Sequence, residues 1–273
     1  MGKIAVITGG AGAIGLALAG RLRQRGYRLI LVDVDEGRLA QSVEHLGDDV
    51  ATWRADLASA ADLARLAADV AALCDLELLV NCAGIIQPGA VVDLSYKELE
   101  RHIAINLLAP MSLSQAAARA MRDRGRGCIL SIVSAAGLAA LPGSASYSAS
   151  KFGLRGFQIA LSQELAPHGV KVRGVFPGAV DTSMLRYEAT HGGSVLNFLN
   201  KDVLSVDQVA AACIRAIDGK RLETHLPYWD GVVARLLCVA PGLMVHLLPR
   251  LVKQGEAGLR RFLKSRGLAE AEH

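Results

Sequence analysis

A chain of 273 residues with 52% hydrophobic content holds enough apolar material for one sizeable core, on the scale of a single open α/β domain. Its formal charge of +4 is too small to mark a nucleic-acid-binding surface, so no nucleic-acid partner is expected. Five cysteines without a Cys-x-x-Cys pair and seven scattered histidines speak against a disulfide framework or a metal site, and favour a reducing, cytoplasmic setting.

Short β-branched runs alternate with Ala/Leu-rich amphipathic stretches along most of the chain, which predicts repeated βα units. The first run, Ile4 to Thr8, reads as a strand and not as a signal peptide. Residues 8–15, Thr-Gly-Gly-Ala-Gly-Ala-Ile-Gly, follow it and open an amphipathic helix from Ile14 to Arg25. Small residues in such a turn let backbone N–H groups approach a pyrophosphate beside a helix N-terminus, which makes Gly9, Gly12, Ala13, Ile14 and Gly15 candidate cofactor contacts. The second strand, Arg28 to Asp33, ends on a carboxylate 18 residues after Gly15. An acid there can accept hydrogen bonds from both adenine-ribose hydroxyls and repel a 2'-phosphate, so Asp33, with no Lys or Arg immediately beside it, favours NAD over NADP. The third strand, Val50 to Ala55, leads into Asp56 and Leu57, placed for the adenine edge and face.

Further strands are predicted at Leu76 to Asn81, Gly127 to Ser134, Val170 to Phe176 and Leu222 to Leu226. Seven strands with intervening helices imply an α/β fold: a doubly wound (Rossmann) parallel sheet with helices on both faces, its ligand at the carboxyl ends of the strands. Residues 1–230 are read as this domain and 231–273 as a C-terminal helical extension of it.

The motifs Thr8 to Gly15, Asn81-Cys82-Ala83-Gly84, Asn106, Ser134, Tyr147-Ser-Ala-Ser-Lys151 and Pro177-Gly178-Ala-Val180-Asp-Thr182 occur in an order that resembles the short-chain dehydrogenase/reductase family over residues 3 to about 220. The resemblance implies hydride transfer between nicotinamide and a secondary alcohol or ketone. Tyrosine, with a free pKa of about 10, is a poor base at neutral pH, and Lys151, four residues on and on the same helix face, would stabilise its phenolate. Ser134 would hold the substrate oxygen. By resemblance, Lys151 also binds the nicotinamide ribose, Asn106 supports a water-linked proton path, Thr182 meets the nicotinamide carboxamide, and Asn81, Ala83, Gly84, Pro177, Gly178 and Val180 border the cofactor. Asn81 reads better as a structural residue closing the fourth strand than as a reacting one.

Two features depart from the family's shorter branch. Ala13 stands where glycine is usual, which gives the Gly9, Gly12, Gly15 spacing of the longer branch of epimerases and dehydratases. The glycine-rich C-terminus of many tetrameric relatives is missing, which leaves a homodimer through the Asn106 and Tyr147 helices as the family-like expectation. A catalytically idle nucleotide-binding regulator is the competing reading of another class.

The segment from Ser183 to Leu204 is apolar through Met184, Leu185, Tyr187, Val195, Leu196, Phe198 and Leu199, which favours a lipophilic substrate of steroid, retinoid or fatty-acyl type. From Gly231 an interrupted apolar stretch, read as two short helices, precedes a basic run. Arg250, Lys253, Arg260, Arg261, Lys264 and Arg266 stand against Glu256 there. The pair is read either as a cover over the sheet or a subunit interface with a solvated basic helix face, or as a lid in which residues 231–266 make peripheral contact with an anionic membrane.

Overall fold

The predicted apolar runs lie side by side in one parallel sheet, as expected of strands buried on both faces. The structure is a computed structural model and describes residues 2–47, 49–200, 202–239 and 241–268. The strands are β1 (Lys3–Thr8), β2 (Tyr27–Asp33), β3 (Val50–Arg54), β4 (Leu76–Asn81), β5 (Gly127–Ile132), β6 (Val170–Pro177) and β7 (Glu223–Leu226). Their order is β3-β2-β1-β4-β5-β6-β7, parallel throughout. Because β1 lies between β2 and β4, the chain winds in opposite directions on either side of it, and a cleft opens at the strands' carboxyl ends.

Helices cover both faces. On one, α1 (Ala13–Gln24), α2 (Glu36–Leu46) and α8 (Val206–Asp218) bury Leu18, Leu22, Leu39 and Val209 against Ile7, Leu31 and Val80. On the other, α3 (Ala60–Ala71), α5 (Ala109–Arg122) and α6 (Ala145–Leu165) bury Leu66, Leu113, Met121 and Leu161 against Val6, Leu79 and Ile129. Alternate residues of each strand thus feed alternate cores. The helix α4 (Tyr96–Ile103) starts in a capping box, with Ser95 and Glu98 each bonded to the other's backbone N–H.

Three sequence expectations are corrected here. The fifth strand ends at Ile132 and not at Ser134, because the Ser134 hydroxyl accepts from Ala136 N at 3.0 Å and starts a short turn over Ala135–Gly137. Between α4 and α5 the helix widens into a π turn, Ala104–Leu108. Pro110 has no N–H and stands four residues after Asn106, so the donor that an α-helix would offer the Asn106 carbonyl is missing. Finally, the apolar stretch from Gly231 falls on two helices as expected, but only the first is short: α9 is Tyr228–Val239, while α10 (Pro241–Arg266) runs on through Pro249 and the basic run for 26 residues. Gly255 and Gly258 let α10 lie directly on the backbone at Val195 and Phe198, where any Cβ would overlap those carbonyl oxygens. Phe262 and Leu263 then join Leu185, Ala189 and Phe198 in a small core beneath α7 (Ser183–Thr190).

Candidate active site

The β1–α1 turn is built for close backbone approach. Gly9 adopts φ +62°, and a Cβ there would come within 2.8 Å of the Ala83 backbone, while a Cβ at Gly15 would overlap the Gly9 carbonyl oxygen. Thr8 pins this turn to the end of β4: its hydroxyl accepts from Cys82 N (3.1 Å) and Ala83 N (3.2 Å) and donates to Val80 O (3.4 Å). Gly12 caps α1 with no side chain of its own, so the first-turn N–H groups of the helix are left to whatever fills the cleft. A glycine cradle ending on uncapped helix amides fits a pyrophosphate.

That cleft encloses about 360 Å³ and is lined by Gly9, Gly12, Ala13, Ile14, Gly15, Asp33, Asp56, Leu57, Ala83, Gly84 and Thr182. Asp33 accepts from Ala11 N (3.3 Å) and Asp35 N (3.2 Å), which fixes its carboxylate at the rim. Arg38 lines the cleft too, with its Nε 3.3 Å from Asp35. No Lys or Arg stands immediately beside Asp33 in the sequence, but the first turn of α2 brings Arg38, five positions on, to the same cleft.

A second cavity, about 130 Å³, adjoins the first through Ile14, Cys82, Gly84, Thr182 and Met184. Here Ser134, Tyr147 and Lys151 meet, together with Pro177, Gly178 and Val180. Tyr147 and Lys151 occupy one face of α6, with Nζ 5.5 Å from the ring centroid. Lys151 is 4% exposed and donates to Ile132 O at 3.2 Å. Burial pulls its ammonium down to about 8 and pushes the Tyr147 phenol above the usual tyrosine range; the Glu188 carboxyl pushes the phenol the same way, and Ser134 acts in the opposite sense. The Cys82 thiol is raised by burial to about 12 and stays protonated.

Asn106 is buried outside both cavities. Its side chain brackets Ile85, accepting from Ile85 N and donating to Ile85 O, each at 2.9 Å, and Nδ2 also reaches Ser150 Oγ at 3.3 Å. A Cβ placed on Gly84 would lie 3.3 Å from Asn106 Oδ1 and 3.6 Å from Lys151 Nζ, so the two residues flank the same glycine. Asn81 is the candidate that the structure moves away from the cofactor. Its Nδ2 donates to Ser114 (3.0 Å) and Ser131 (3.3 Å) between β4, α5 and β5, because even-numbered and odd-numbered strand residues face opposite layers and this one faces the core.

The family model for short chain dehydrogenases matches residues 3–192. The chain belongs to the short-chain dehydrogenase family. Among relatives of this short-chain dehydrogenase, the Mycobacterium tuberculosis protein SadH is 39% identical over 191 residues, 68% of this chain and 69% of its own length. A short-chain dehydrogenase from Sphingobium yanoikuyae, solved in complex with NADPH, shares 30% identity with a TM-score of 0.76 over 89% of this chain and 95% of its own. The bulky-bulky ketone specific alcohol dehydrogenase from Comamonas testosteroni shares 29% identity and a TM-score of 0.74, over 89% and 94% of the two chains.

Against the sequence reading, this dehydrogenase adds Thr8, Arg38, Cys82 and Glu188 to the neighbourhood of the cavities. Thr8 was legible as part of the turn motif but not as its pin; Glu188 was hidden in a segment notable for its apolar residues. Gly15→Ala should force the turn apart at Gly9 and weaken NADH binding by about 10-fold or more, since overpacking of this kind costs roughly 1–3 kcal/mol. Fluorescence titration with NADH reads it, and unchanged affinity would disprove the cradle.

Proposed function

We propose that this short-chain dehydrogenase moves a hydride between NAD(H) and a lipophilic secondary alcohol or its ketone. The observation that carries the reading is the meeting of Ser134, Tyr147 and Lys151 in one cavity that opens onto the glycine-cradled cleft. A bound nicotinamide supplies the hydride acceptor or donor, and its oxidised ring adds positive charge beside the phenol. Every proton is handled by the chain. Ser134 holds the substrate oxygen by a hydrogen bond, and Tyr147 takes the carbinol proton in oxidation or returns it in reduction. Burial and the Glu188 carboxyl both oppose ionisation of Tyr147, and we assign the neighbouring Lys151 ammonium as the group that makes a phenolate accessible. With one N–H given to Ile132 O, Lys151 keeps two for the ribose hydroxyls and the proton path. The Asn106 carbonyl, lacking the donor that Pro110 withholds, is the acceptor we assign to a water on that path.

Three intact reacting groups favour an enzyme over an idle regulator. The walls of the second cavity, Leu141, Val180, Met184 and Leu185, support a substrate with an apolar skeleton. Its volume of about 130 Å³ is below the usual 300–1,000 Å³ of ligand pockets, which supports a compact ring over a steroid. The fixed Asp33 carboxylate supports NAD, with Arg38 the opposing influence at the same rim. A homodimer is supported by a groove between α5 and α6 lined by exposed Leu108 and half-buried Met111 and Phe157, with the buried Leu161 at its floor.

Peripheral membrane contact is a second reading, favoured by Trp229, Leu236, Val239 and Val245, all exposed on α9 and the start of α10, next to exposed Arg250, Lys253, Arg260 and Arg261. No helix among the described residues is long and apolar enough to cross a membrane.

Three measurements test these assignments. Tyr147→Phe keeps the ring and removes the proton carrier, so turnover of a secondary alcohol with NAD should fall by about 100-fold or more while NADH affinity is kept; near-normal turnover sinks the mechanism. The wild type should show higher kcat/KM with NAD than with NADP, and Asp33→Ala should narrow the ratio; a wild-type preference for NADP refutes the assignment. Sedimentation with anionic vesicles should carry the protein down at low salt and release it at high salt, and no pelleting at low salt excludes the membrane reading.

A further inference from the structure

Glu188 is 7% exposed on α7 and lines the cavity that holds Tyr147 and Ser134. A buried carboxyl is costly without a cation or a full set of hydrogen bonds, and among the described residues Glu188 has neither. Its one side-chain partner is Asn197, whose Nδ2 donates to Oε1 at 3.0 Å; Oε2 has none. Burial holds the carboxyl up at about 7, against the pull of the Asn197 bond.

A second polar group in the same cavity is also left over. Ser144, at the start of α6, is 2% exposed, lines the cavity and has no hydrogen-bond partner for its hydroxyl. The two residues are brought together by tight loop packing. Gly143 adopts φ +74°, and a Cβ there would lie 3.4 Å from Gly192 O and 3.7 Å from Ser194 N, so the turn before Ser144 lies against the loop that follows Glu188. Gly193 in turn lies against Glu188 itself, with space for a Cβ only 2.7 Å from the Glu188 Cβ.

A tie between α7 and the Asn197 turn does not require a carboxyl, and it does not use Oε2 or the Ser144 hydroxyl. We propose that Glu188 and Ser144 form a polar subsite that binds a second hydroxyl group of the substrate, while Ser134 and Tyr147 hold the reacting one. The ligand hydroxyl donates to Glu188 Oε2 and accepts from Ser144 Oγ, which satisfies both leftover groups at once. An ammonium at this position would sit in the same small cavity as the Lys151 ammonium, so a neutral hydroxyl is the better match. The substrate class is therefore a diol, or the corresponding hydroxyketone, on a compact apolar skeleton.

The inference rests on the alcohol oxidoreductase reading and sharpens its substrate. The test compares cyclohexanol with the regioisomeric cyclohexanediols as substrates, using NAD and NADP, for the wild type, Glu188→Gln, Glu188→Leu and Ser144→Ala. The wild type should favour one diol over cyclohexanol in kcat/KM by about 10-fold or more. Glu188→Leu should bring the ratio to within about twofold, with Ser144→Ala and Glu188→Gln between. A structural role alone would lower both substrates together and leave the ratio intact, which would overturn the proposal, as would a wild type that does not discriminate. If the wild type turns over no alcohol, the oxidoreductase reading fails separately. The subsite is then judged by calorimetric binding of the same compounds to the NADH-loaded protein: a diol preference that Glu188→Leu abolishes supports it, and absence of such a preference overturns it.

Discussion

A buried ammonium must be surrounded by acceptors, and the placing of Lys151 dictates much of what lies around it. Strand β5 stops at Ile132 and presents that residue's carbonyl to Nζ. Gly84 sits between Lys151 and Asn106, where a Cβ would press on Asn106 Oδ1 at 3.3 Å. Helix α6 starts just early enough to put Tyr147 one turn before the lysine, on the same face. None of these is an isolated choice. The strand end, the β4 loop and the α6 phase are three consequences of holding one positive charge beside a phenol in a space where water cannot screen it.

The cofactor side depends on a different economy. Thr8 uses a single hydroxyl to satisfy two amides and one carbonyl at the point where β1 and β4 part company. With those backbone groups satisfied, the turn through Gly9 can approach Ala83 closely, and the N-terminal amides of α1 need no internal partner. The open cleft is therefore bordered by a pinned turn on one side and by the uncapped amides of α1 on the other.

Much of this was legible in the sequence because buried parallel strands read as continuous β-branched runs and because glycine, aspartate and the Tyr147–Lys151 pair carry local signals. What was not legible shares a physical cause: it is settled by tertiary contacts. Ser134 is the local exception, drawn into a turn because its hydroxyl accepts from Ala136 N two residues on. Asn81 faces the core because the sheet's alternation puts Ser114 and Ser131 beside it. Arg38 reaches the cleft only when α2 docks. The 26-residue α10 runs past Pro249, and Gly255 and Gly258 seat its later turns on a neighbouring backbone. Glu188 was overlooked because averaging the character of residues 183–204 hides one carboxyl among leucines, although a single buried charge outweighs several apolar contacts in deciding what a cavity will accept.

The π turn at residues 104–108 acts as a phase shifter. One surplus residue is carried in a helix that otherwise advances about 100° per residue, so α4 and α5 present faces that an unbroken helix would not align. Regular α-helix through all of these residues, with none absorbed, would leave Leu113, Ala117 and Met121 in their core positions yet rotate everything upstream, His102 included, by that same step. Chain length between residues 96 and 122 is thereby constrained by angle as well as by reach.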